Sequence, residues 1–402
     1  MRRTFLRRDL IFLACSLVVF VAALEGAALL FVNRSPSAPP PYTAPPAATA
    51  VPTATQPPPP PTPALVASPL DGALITPAEW EARRQLSPTA VMIDNSPEAF
   101  PQAGLDRADI VFEAYVEGGL TRLMAVFWRR EAEVIAPVRS ARTPFVIWAS
   151  ELDALYAHGG SAETLNAANA AGQIFEWNIK DIEAFAPWAN TAFRRDPARV
   201  APHDLTTGTA ALRNVAATQA YAPWRAIEPW PFTSAPGVPN PSAPAEGIEV
   251  DFSDGSRHAT RVVQWRWDRA ASAFLRSRLG GPDTDALTGA QLKFTTVIVM
   301  RVPYESVDEA GHVLLDQFGE GDAIVFTGGR AVTARWRKKD RLSRTRFYDA
   351  FGQDVTFARG PIFIEVVGPQ SPVVVAANAA TLPPLPPYER QPLPGSTPGT
   401  GR

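Results

Sequence analysis

The chain has 402 residues, 46% of them apolar and 19% charged, so its bulk reads as globular rather than disordered. Its formal net charge of -2 excludes a general nucleic-acid binder, which needs a basic field against phosphates. The one cysteine, Cys15, lies in an apolar N-terminal stretch, so the rest of the chain has neither a disulfide framework nor a cysteine-ligated zinc site.

Residues 1–9 carry Arg2, Arg3, Arg7 and Arg8 and lead into an apolar run over 10–32, interrupted by one charge, Glu25. About 23 residues rising ~1.5 Å each span the ~30 Å core of a bilayer. The arginines predict a cytoplasmic N-terminus, which places all later residues outside the cytoplasm. A signal peptide cleaved at Gly26–Ala28 is the competing reading. Lipidation at Cys15 is disfavoured, because the segment between Asp9 and Cys15 is too short for a signal's apolar core. Residues 33–67 are dominated by Pro, Ala and Thr and predict an extended spacer, since proline removes backbone donors and fixes φ. Residues 371–402 have the same composition and are expected to be a disordered tail.

Between spacer and tail the pattern predicts an α+β fold in two parts. In the first, residues 68–225, short apolar runs at 90–93, 109–115, 121–128, 134–138 and 154–157 read as strands. Residues 144–153, 163–171 and 209–217 have helical spacing, which makes a mixed sheet with helices packed on it. Residues 226–244 read as a connecting loop. Over 245–370 the apolar period is two, in runs such as 248–252, 260–267, 293–302 and 362–367, which predicts a mostly β part. A basic cluster, Arg335, Arg337, Lys338, Lys339, Arg341, Arg344 and Arg346, reads either as a solvated hairpin blunting a sheet edge or as a contact to an anionic polymer or headgroup.

In the first part the polar residues collect at or just past strand ends, where a scaffold presents functional groups. They are Asp94, Asn95, Glu113, Glu117, Arg122, Arg139, Arg142, His158, Ser161, Arg194, His203 and Asp204. The stretches MIDN (92–95), PQAGLDRADIVFEAYVEGGLTRLMAVF (101–127), PVRSAR (137–142), ELDALYAHGGS (151–161) and APHDL (201–205) resemble the YerB-like family of bacterial envelope proteins. That resemblance implies export, two domains and frequent lipid anchoring, and brings no established activity. The chain departs from the family in lacking a lipobox, in Asp204, where Asn is typical after Pro-His, and in Phe100, where Arg is usual.

Three functional readings remain open on these residues. The leading one is a binding module, in which Arg122, Arg139 and Arg142, with Asn95, Glu113, Ser161, Arg194 and Asp204 around them, clamp an anionic group of a cell-envelope glycan or polymer. The second is an envelope hydrolase using Asp94, Glu117, His158 and His203. It would work through Ser161 with a histidine base, through a His/carboxylate metal site, or through a Glu113–Glu117 acid/base pair. The third is a scaffold with no small ligand. No cofactor or metal is identified from the sequence. The pocket reading requires Asp94, Glu113, Glu117, Arg122, Arg139, His158 and His203 to line one cavity.

Overall fold

The computed structural model describes residues 64–233 and 242–389. The expected membrane span over 10–32, its cytoplasmic flank and most of the spacer lie outside the described residues. Among the described residues no helix is long and apolar enough to cross a membrane.

The fold is mixed α+β. Its central strands are β1 (Thr89–Asp94), β2 (Ile110–Tyr115), β3 (Thr121–Phe127), β4 (Leu155–His158) and β5 (Lys180–Glu183) from the first part of the chain. The later part adds β6 (Gly247–Asp251), β7 (Val262–Asp268), β8 (Ala273–Arg278), β9 (Thr296–Arg301), β10 (Gly319–Thr327), β11 (Arg330–Lys338), β12 (Ile362–Val367) and β13 (Val373–Ala376). One eleven-stranded sheet runs in the order β11, β10, β9, β12, β2, β3, β1, β4, β5, with the short strand Ala243–Pro244 at the β11 edge and Arg346–Tyr348 paired beside it. Strands from both parts of the chain therefore share one sheet, joined where β12 pairs in parallel with β2, Ile362 opposite Ile110.

The central strands are buried on both faces, which explains their near-continuous apolar runs. Side chains still alternate. Met92, Phe112 and Met124 face helix α1 (Thr143–Leu152), every residue of which is buried, and Phe112 stacks on Trp148 at 4.8 Å. Ile93, Val111 and Leu123 face a second, six-stranded sheet containing β8, β7, β6 and β13, where Trp265 meets Phe363 at 4.9 Å.

Several expectations change. Of the helix expected over 163–171, residues 163–169 form a loop and only the last two fall in helix α2 (Ala170–Glu176). Within the loop the Asn166 side chain accepts from Ala168 N–H and Thr164 Oγ1, local bonds that compete with helix formation. The run 134–138 contributes isolated bridges only. Strand β8 lies outside the expected runs, because Arg276 and Arg278, both buried, have the sequence pattern of a solvent face. Residues 373–376, expected in the tail, form β13, whose valines pair with β6. The basic cluster is largely neutralised. Arg335 and Arg337 pair with Glu320, Lys338 and Arg344 with buried Glu151, and Arg346 with Asp354. Arg335 and Arg337 fit the solvated hairpin, whereas Lys338 and Arg344 are buried and tie this segment to α1's Glu151, which neither expectation included.

Candidate functional site

Strands β1, β4 and β5 run in parallel, and β1 and β2 are both antiparallel to β3. The carboxyl ends of β1, β2, β4 and β5 and the start of β3 therefore lie along one edge of the sheet. In open sheets with parallel strands this is the edge where ligands collect. Asp94 ends β1, Glu117 sits in the β2–β3 turn, Arg122 opens β3 opposite Asp94, and His158 ends β4.

An arginine cluster occupies the middle of this edge. Arg142 grips Glu117 with a two-pronged fork, Nε donating to Oε2 at 2.8 Å and Nη2 to Oε1. Arg122 donates to the Ser140 carbonyl at 2.9 Å and to Glu117 at 3.4 Å. Burial raises the Glu117 pKa, but the Arg142 hydrogen bond and the Arg122 and Arg142 charges outweigh it and hold the carboxyl at about 2. Burial, and after it the Arg142 charge, draws Arg122 down to about 10. Arg139 Nε lies 3.0 Å from Asp94 Oδ2 as an ion pair. Its terminal nitrogens have no partner among the described residues. Side-chain exposure is 27% for Arg139, 14% for Arg142 and 7% for Arg122, so Arg139 is the one open to a ligand.

Asp94 also accepts from His203 Nδ1 at 2.7 Å and from the Ser96 N–H at 2.9 Å. Burial pushes its carboxyl up, but these bonds and the Arg139 charge bring it down to about 2. A carboxylate can only accept, so His203 Nδ1 carries a proton, and in the neutral ring Nε2 is the acceptor. His203 lines a cleft with Glu98, Phe100, Asp196 and Arg199.

The other predicted residues do not join this group. Glu113 is buried beneath it. Its Oε1 accepts from Asn95 at 2.8 Å and Thr121 at 2.6 Å, and its Oε2 accepts from Arg276 at 2.5 Å. Asn95 is buried too, accepting from Arg278 at 2.6 Å. Glu113 and Glu117 thus bind different arginines and do not form an acid/base pair. His158 is buried with Nε2 2.6 Å from Asp181, and Nδ1 2.8 Å from the Gly160 carbonyl and 2.9 Å from Glu183. All three partners are acceptors, so both ring nitrogens carry protons. Burial alone would lower its pKa, but the bonds and charges of Asp181 and Glu183 prevail and raise it to about 9. An imidazolium is neither a metal ligand nor a base for Ser161. The Gly160 N–H donates to Glu183, so it does not form an oxyanion pocket. Ser161 and His158 line a different cleft from His203. Arg194 lies on an exposed two-residue strand, and Asp204 pairs with Arg195. The single cavity expected for all these residues is therefore not formed. Among the described residues, no group of three or more His, Cys, Asp or Glu is arranged around a metal position.

Sequence reasoning missed the partners that fix these roles. Asp181 and Glu183 alternate on β5, and that period-two pair of acids at a strand end was the available signal. Arg276, Asp283 and Glu365 gave none, because their convergence depends on the packing of the two sheets.

Residues 76–222 match the model of the N-terminal domain of a protein family of unknown function (DUF3048), and residues 248–364 match that of its C-terminal domain. The chain belongs to this family, and the arginine cluster falls within the N-terminal domain. Among its relatives is the Bacillus subtilis (strain 168) protein YerB, named as a candidate lipoprotein. It is 28% identical over 279 residues, which is 69% of this chain and 80% of YerB. The crystal structure of YerB from Bacillus subtilis superposes with a TM-score of 0.66 at 24% identity, covering 77% of this chain and 99% of that one. That likeness establishes the fold.

Proposed function

We propose that this is a membrane-anchored extracytoplasmic binding protein that holds an anionic group of a cell-envelope polymer at Arg139, with Arg122 and Arg142 behind it. The anchor is the single apolar segment over 10–32 with its N-terminus in the cytoplasm. The flanking arginines support this orientation, and the naming of YerB as a lipoprotein candidate supports membrane attachment outside the cytoplasm, though by a lipid rather than a helix.

The observation that carries the binding reading is the charge balance at one sheet edge. Three guanidiniums face two carboxylates, Asp94 and Glu117, and the terminal nitrogens of Arg139 are left unpaired. A guanidinium fork fits a carboxylate or phosphate through two parallel N–H bonds. Asp94 lies beside Arg139 as an ion pair at 3.0 Å, which holds the guanidinium at this edge.

A second reading is favoured by the Asp94–His203 pair, which has the geometry of an oriented base with Nε2 available to a water. Both readings are tested by a thermal-shift screen of the full chain in detergent against carboxylate-bearing muropeptides, anionic phosphate polymers, neutral glycans and divalent metals. The binding reading expects a rise with the anionic ligands that fades as salt increases. Turnover of a ligand, abolished by His203→Ala, supports the hydrolytic reading. No shift with any anion overturns the binding proposal and leaves a scaffold.

A further inference from the structure

Beside the His158 turn lies an open cleft of ≈ 650 Å³, within the size range of small-molecule sites, about 300–1,000 Å³. Phe175, at the end of α2, and Phe185, just past β5, line it and are 88% and 61% exposed. Phenylalanine is among the residues most often buried, so two open rings on one cleft leave apolar surface without a partner. The polar lining is open to solvent. Ser161 Oγ, the Glu163 carboxylate, the Asn178 amide and the second oxygen of Asp181 have no partner among the described residues. Asp181 is held rigidly by His158, whose other nitrogen is fixed by Gly160 and Glu183.

We infer that this cleft binds the pyranose rings of a neutral saccharide. A pyranose presents apolar C–H faces, which pack on aromatic rings, and hydroxyl edges, which both donate and accept. The lining supplies each counterpart: two phenyl faces, two carboxylates as acceptors, a hydroxyl and an amide. Its excess of carboxylates repels phosphorylated or carboxylated ligands, so the cleft is chemically distinct from the arginine cluster. The proposal stands whether or not that cluster binds an anion. The bond from the buried His158 keeps the Asp181 acceptor in place before the ligand arrives.

The test is calorimetric titration of the full chain in detergent with chitotetraose and cellotetraose, both uncharged, beside the F175A, F185A and R139A variants. Both phenylalanines are surface residues, and thermal melts of the variants check that folding is intact. Saturable binding of at least one tetramer is expected. It should weaken roughly tenfold in F175A and in F185A, the factor for withdrawing a phenylalanine's share of apolar burial, and should not change in R139A. The inference is overturned if neither tetramer binds, if binding is unaffected in the F175A/F185A double variant, or if R139A abolishes it.

Discussion

Replacing Arg276 with methionine should destabilise the protein by about 3–5 kcal/mol at pH 7, the range for breaking a buried ion pair from one side. Arg276 is fully buried between the two sheets and joins Glu113 of β2 to Asp283, with Glu365 of β12 3.9 Å from its Nε. Its guanidinium lies 4.9 Å from the Phe363 ring centroid, so methionine keeps much of the packing while removing the charge. Glu113 would then be buried without its counter-charge, while Asp283 keeps only Arg278, 3.5 Å away. A stranded carboxylate escapes by taking up a proton, which at pH 7 costs about 1.36 kcal/mol per unit above a reference pKa of about 4.3, or about 3.7 kcal/mol. The two routes give the same size of effect, and the second predicts its pH dependence. In the variant the folded state gains protons relative to the unfolded chain, so the penalty should shrink as pH falls towards about 4.5. Urea unfolding of both proteins at pH 7.5, 6 and 4.5 reads this out. A loss below about 1 kcal/mol at pH 7.5, or a loss independent of pH, refutes the argument. Glu365 sharpens the point. Burial, and then the Glu113 charge, push its carboxyl well above the usual range.

Three further outcomes follow from the charged pairs. The folded-state pKa of His158, about 9, lies above the unfolded value of about 6.5. Its contribution, about 3 kcal/mol, is therefore complete below pH ~6.5 and lost as pH rises through ~9, a decline that His158→Gln should flatten in denaturation curves taken at pH 6, 8 and 10. Asp94 is depressed to about 2, so its contribution is present above pH ~4 and lost as pH falls through ~2. Asp94→Asn should cost about 2–3 kcal/mol at pH 7 and free His203 from its Nδ1–H tautomer, visible in imidazole nitrogen shifts. Glu151→Gln leaves Lys338 and Arg344 buried against a neutral amide and should cost about 3 kcal/mol by urea unfolding; a neutral result would mean the hairpin does not need this anchor.

Much of the fold is visible in the sequence because the central strands are buried on both faces. Runs such as IVFEAY and IFIEVV have nowhere to lie except inside a covered sheet. The union of both parts of the chain in that sheet was not visible, since pairing between Ile110 and Ile362 depends on topology rather than local pattern. At the site, strand ends marked Asp94, Glu117, Arg122, Arg139 and Arg142 correctly as neighbours of one edge. The same rule misjudged Glu113, Asn95 and His158. Sequence position gives the strand end but not which way the side chain points. Glu113 points towards Arg276 of the second sheet, and His158 is enclosed by two acids of β5.

The central claim is that the unpaired end of Arg139 takes an anion, and titration calorimetry of wild type and Arg139→Ala against a carboxylate-bearing muropeptide tests it most directly. The account predicts binding in the wild type and a loss of roughly tenfold or more in the variant, about 1.4 kcal/mol, measured well below the variant's melting temperature because Asp94 loses an ion-pair partner. Equal affinity in the two proteins would contradict it.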